Sequence, residues 1–139
     1  MYIFSKNFYI PKKKDDLMPK FNNLQVLFFL FSKEKCKISE DQKECEIKIS
    51  GFPMPIRLKM LNNPEKEDKI HLTSVGMPIS FDLIIEFKAE GEQTQTKVIF
   101  DGKSINMFIK PMIEKPLQQL MDQIPDRVAK YFEEHGTDF

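Results

Sequence analysis

The side chains of this chain with the most chemical promise are His71, His135, Cys36, Cys45 and Lys6. Nucleophilic catalysis by cysteine or serine needs a base within hydrogen-bond reach, usually histidine, and a third group to orient it. His135 stands in a polar tail beside Gly136, where solvent exposure is expected. His71 alternates with Ile70 and Leu72, so it faces the outer side of its strand if those two face in, and it reads as a surface histidine. Metal binding needs His, Cys, Asp or Glu at ligand spacing, and Cys36 and Cys45 have no cysteine or histidine beside them, so no metal site is expected. A symmetric hairpin around Glu40-Asp41 would set the two cysteines opposite each other, either as buried small hydrophobes or as a redox pair. A reducing compartment favours the former. The cluster Glu65, Glu67, Asp68 reads as a solvated turn. Lys6 shares a strand face with Phe4 and Phe8, so strict alternation points it inward, where it could meet an acidic headgroup. A bulge or a snorkelling stem would turn it out again. Thr96 is the second polar residue that alternation sends inward.

These residues hang on a legible framework. At 139 residues the chain suits one domain, 1–139, able to bury about two-thirds of the surface its unfolded form exposes. Basic and acidic residues number 21 each. The balance argues against a nucleic-acid partner, which demands a basic surface. Lys12-Lys13-Lys14 is followed by Asp15-Asp16 and reads as a solvated helix start. Phosphate-cradling motifs are absent, since the glycines are isolated turn residues, and no cofactor is expected. The longest apolar run, Leu24 to Phe31, is far below the roughly 20 residues a membrane span requires. With no signal-peptide pattern at the N-terminus, a cytoplasmic location is expected.

Alternation predicts a strand over 2–10, ended by Pro11. Two short helices follow, the first capped by Asp15 or Asp16 and carrying Leu17 and Phe21. They meet at Asn22-Asn23, although the phenylalanines of 24–31 would also suit a strand. A meander comes next: a hairpin of Lys35–Ile38 and Glu44–Ser50, a turn at Gly51–Pro55, a strand over 56–61, a turn at Asn62-Asn63-Pro64, and a strand Lys69–Ser74. Gly76-Met77-Pro78 turns into a long strand over 79–90, and Gly91 closes a hairpin to 94–101. From Ile105 the apolar residues recur at helical spacing. Because Pro111, Pro116 and Pro125 interrupt that stretch, it is expected to form a short helical turn over Asn106–Ile113, a main helix from about Lys115 to His135, and a kink near Pro125. The fold class is therefore α+β: a curved antiparallel sheet of about seven strands gripping a long C-terminal helix.

The order of elements resembles the helix-grip fold of the START-like, or SRPBCC, superfamily. Its short bacterial members have a closing segment like Asn106–Leu120 (NMFIKPMIEKPLQQL). Phe21-Asn-Asn-Leu24 resembles their break between two short helices, and Met77-Pro-Ile-Ser-Phe81 the start of their long strand. The resemblance runs from about Phe4 to Phe132, departing at Leu27–Phe31, which is more apolar than the charged connection usual there. It implies a fold firmly and a function loosely, because the superfamily binds many ligands.

The chain holds thirteen phenylalanines and eight methionines, and methionine suits pockets that accept varied apolar shapes. Read from the residues alone, the inward rows could fill a solid core or line a cavity. The resemblance implies a cavity. Its lining would be Phe4 and Phe8, Ile47, the row Ile56, Leu58 and Met60, the row Phe81, Leu83, Ile85 and Phe87, then Val98 and Phe100, closed by Phe108, Met112 and Met121. Lys6 and Thr96 would be its polar anchors. Three functions follow. The leading one is non-enzymatic binding or carriage of a small hydrophobic ligand, lipid- or polyketide-like. The others are a protein-interaction module with a solid core, and a cyclase or lyase acting on an apolar substrate.

Overall fold

The computed structural model describes residues 2–21, 37–41, 43–48, 55–61, 67–76, 80–103, 108 and 110–135. Its elements are β1 (Tyr2–Ile10), α1 (Lys14–Phe21), β2 (Lys37–Ile38), β3 (Glu44–Ile47), β4 (Ile56–Met60), β5 (Lys69–Ser74), β6 (Phe81–Glu90), β7 (Gln93–Gly102) and α2 (Lys110–His135). The strands form one seven-stranded sheet in the order β1-β7-β6-β5-β4-β3-β2, and every neighbouring pair is antiparallel. This is the α+β helix-grip architecture expected from the alternation. The predicted second short helix, the turns at Gly51–Met54, Asn62-Asn63-Pro64 and Met77-Pro78, and Cys36 lie outside the described residues.

Register explains why alternating residues give a two-faced sheet. Phe4, Phe100, Leu83, Leu72 and Met60 are successive cross-strand partners, forming one apolar row across five strands on the concave face. Lys6, Val98, Ile85 and Ile70 make the next row, and Phe8, Thr96 and Phe87 the one after. Such cross-strand pairs are the unit of sheet stabilisation. Phe81 and Phe100 add a stacked ring pair with centroids 4.9 Å apart. The β6–β7 hairpin closes through Gly91-Glu92 between the paired Glu90 and Gln93. Gly91 takes φ 63 there, a left-handed conformation that lets the turn follow the strands' twist.

Helix α2 presents Ile113, Leu117, Leu120, Met121, Ile124 and Val128 to the sheet, all buried. Its start corrects the sequence reading. One continuous helix begins at Lys110, so Ile113 belongs to it and no separate turn precedes the main helix over 110–113. Pro111 falls in the first turn, where a missing N–H costs nothing. Pro116 and Pro125 sit inside the helix, and burial of the apolar stripe offsets the backbone hydrogen bonds they remove. The short helix α1 is likewise held by packing, through Leu17 at 0% and Met18 at 7% exposure. Asp15 and Asp16 lie in its first turn, favourably placed for the helix dipole, and not at the cap.

The expected pairing of the two cysteines involves Cys36, which lies outside the described residues. Cys45 has Ile38 as its cross-strand partner, is buried, and contributes to the core as a small hydrophobe.

Candidate ligand-binding interior

The concave face and α2 bring most of the expected lining together. Ile47, Ile56, Leu58, Phe81, Leu83, Ile85, Phe87, Val98, Phe100 and Met121 are all buried. Phe4, Phe8 and Met60 are partly buried and pack against that cluster. Two expected members are elsewhere: Phe108 is 88% and Met112 57% exposed. The reason is angular. Met112 lies about 100° around the helix from Ile113, on the side away from the stripe that Ile113, Leu117 and Ile124 define. Phe108 precedes the helix altogether.

Lys6 is the one charged side chain that the strands place on the concave face among the described residues. Alternation sends it inward as expected, but its stem runs to the rim. There Nζ donates to Asp122 Oδ1 of α2 at 3.2 Å. The two side chains are 39% and 65% exposed, so solvent screens the pair and it is worth about 0–1 kcal/mol. Its role is to tether helix to sheet at one edge. Thr94 and Thr96, both buried, point inward from β7. Thr94 Oγ1 donates to the Lys12 carbonyl at 2.7 Å, tying the chain after β1 to the sheet. Thr96 Oγ1 has no hydrogen-bond partner among the described residues.

The outer face holds a polar cluster that the sequence reading missed. Asp82 is only 4% exposed although it occupies an outward position. Its Oδ2 accepts hydrogen bonds from His71 Nε2 at 2.8 Å and from Lys103 Nζ at 2.9 Å. Thr73 Oγ1 donates to Oδ1 at 2.7 Å. Asp101, its cross-strand partner, carries a buried Oδ1 with no hydrogen-bond partner among the described residues. Alternation along β6 puts Asp82 on the outer face but gives no sign of its burial. Pairing β5 against β6 puts Thr73 across from it, and that register was the only signal that could have found the cluster. His71 does face outward as expected, where it braces the Asp82 carboxylate.

Burial alone would raise the Asp82 carboxyl. Hydrogen bonds from His71, Lys103 and Thr73 overcome that and hold it below the ordinary aspartate value. The same contact raises the Lys103 ammonium. A carboxyl depressed on folding adds stability above its unfolded value of about 3.9, and that stability is lost as pH falls through the folded value. Asp82→Asn should therefore cost about 1–3 kcal/mol at pH 7 and lose less than wild type between pH 5 and pH 2 in denaturant melts. Equal losses in the two proteins would show that the Asp82 carboxyl does not titrate differently in the folded chain.

Among the described residues no group of three or more His, Cys, Asp or Glu side chains could hold a metal ion. Nor is any helix among them long and apolar enough to cross a membrane.

The sheet, its register and the gripped helix define the class: this is the START-like helix-grip fold. A START superfamily protein from Mycobacterium smegmatis superposes with a TM-score of 0.72 at 12% identity, over 96% of this chain and 99% of that one. The Zhui aromatase/cyclase of a Streptomyces species gives 0.73 at 11% identity, over 96% and 94%. Norcoclaurine synthase from Thalictrum flavum gives 0.66 at 15%, over 96% and 87%. At these identities the likeness is one of fold. No family model and no curated protein matches the chain in sequence.

Proposed function

We propose that this protein binds or carries a small apolar molecule, lipid- or polyketide-like, between the concave face and α2, without catalysis and in the cytoplasm. One geometric observation carries the reading. Seven strands at about 4.8 Å spacing make a sheet about 29 Å wide, while a helix with its side chains is about 10–12 Å across. Helix α2 runs along β1, yet Leu58 of β4 and Leu72 of β5 are 2% and 0% exposed. The buried apolar surface is thus wider than the helix that runs along it, and that width supports a ligand sharing this interior with α2. A fold neighbour, norcoclaurine synthase, is known in complex with dopamine and hydroxybenzaldehyde, which supports small aromatic molecules as candidate ligands.

The test is a thermal-shift screen of fatty acids, isoprenoids and polyketide-like aromatics against wild type and Leu83→Trp. Leu83 is 7% exposed at the centre of the concave row, so the indole narrows the space. A ligand at a hundred times its dissociation constant should stabilise wild type by about 2.7 kcal/mol. The variant should stay folded and lose most of that shift. If no compound moves the melt and Leu83→Trp unfolds the domain, the interior is a solid core. The interaction-module reading then takes over, and the exposed Phe108 and Met112 are the apolar surface that favours it.

A further inference from the structure

Thr96 is the one buried polar side chain on the concave face that lacks a partner among the described residues. It is 1% exposed and its Oγ1 makes no hydrogen bond, so its hydroxyl is desolvated with nothing in return. Thr94, two residues earlier on the same face, shows the alternative, since its hydroxyl is spent on the Lys12 carbonyl. Valine has nearly the shape of threonine and fills the next inward position, Val98. A hydroxyl at 96 therefore adds nothing to the packing, and its use must lie in what it can bond.

The surroundings narrow what that is. Phe8 and Phe87 are the cross-strand partners of Thr96 on its two sides, so the hydroxyl lies between aromatic neighbours. The nearest charge on this face, Lys6, is the partner of Val98, one inward step away, and is already matched by Asp122. Among the described residues a carboxylate placed here would be desolvated with no unmatched cation on this face to meet it, whereas a hydroxyl or carbonyl oxygen needs only what Thr96 can offer, one donor and two lone pairs. Resting on the carriage reading above, we propose that the occupant is an uncharged apolar molecule with one hydroxyl or carbonyl oxygen, seated on Thr96 Oγ1.

The experiment uses two carbon skeletons, each as hydrocarbon, alcohol and carboxylate: naphthalene, 2-naphthol and 2-naphthoate, and decane, 1-decanol and decanoate. Affinities are measured at pH 7 for wild type, Thr96→Val and Thr96→Ser. For at least one skeleton the alcohol should bind wild type about tenfold more tightly than the hydrocarbon and more tightly than the carboxylate. Thr96→Val should erase that preference while leaving hydrocarbon affinity unchanged, and Thr96→Ser should keep it. The ligand-free Thr96→Val protein should also melt higher than wild type, because it no longer buries an unpaired hydroxyl. An alcohol preference that survives in Thr96→Val, or a carboxylate preferred by wild type, overturns this inference and leaves carriage standing. Binding with no preference among the three forms does the same. Failure of all six probes to bind wild type overturns carriage, and this inference falls with it.

Discussion

Phe100→Ala is expected to destabilise the protein by about 3–5 kcal/mol. Phe100 is 3% exposed, stands between Phe4 and Leu83 in the longest concave row, and stacks on Phe81. Truncation removes the ring's transfer free energy and its stacking partner together, and rigid strands on both sides prevent the sheet from closing over the gap. Urea melts check the magnitude. A loss below about 1 kcal/mol would show that Phe100 does not pack as the register places it.

Leu120→Ala is expected to cost about 2–5 kcal/mol, from lost burial and a residual cavity. Leu120 is 8% exposed and sits with the fully buried Met121 on the gripping stripe. Met112→Ala, on the same helix but 57% exposed, is the internal control and should change stability by less than about half a kcal/mol. Two equal effects would contradict the rotation assigned to α2. Circular-dichroism melts of the pair suffice.

The contrast between those two residues shows where the sequence was legible. Alternation at Phe81, Leu83, Ile85 and Phe87 specifies a strand and its buried face without help from the rest of the chain. The helical period from Ile113 onward likewise specifies the stripe. What alternation cannot supply is the third dimension. Met112 beside Ile113 looks like Leu120 beside Met121, yet both members of the second pair turn inward and only Ile113 of the first does, a difference set by where the sheet lies against the finished helix. The burial of Asp82 was not legible for the same reason: alternation puts it on the outer face, but its burial comes from His71, Thr73 and Lys103 on other segments. The interior polar groups divide similarly. Thr96 and Lys6 were readable as inward, whereas the attachment of Lys6 to Asp122 depends on where α2 lies.

The pairing of β1 with β7 governs how the molecule is made. Tyr2 meets Gly102 and Phe4 meets Phe100, so the first strand synthesised waits for the last. Until β7 emerges, β1 has no neighbour, and its aromatic face has nowhere to go. Closing the sheet then sets a loop of nearly the whole strand region at once, an entropy cost met before most of its contacts form. Pairing at this seam must therefore wait until β7 has been made. The unjoined first strand, Tyr2–Ile10, is where a half-made chain is most exposed to misassociation.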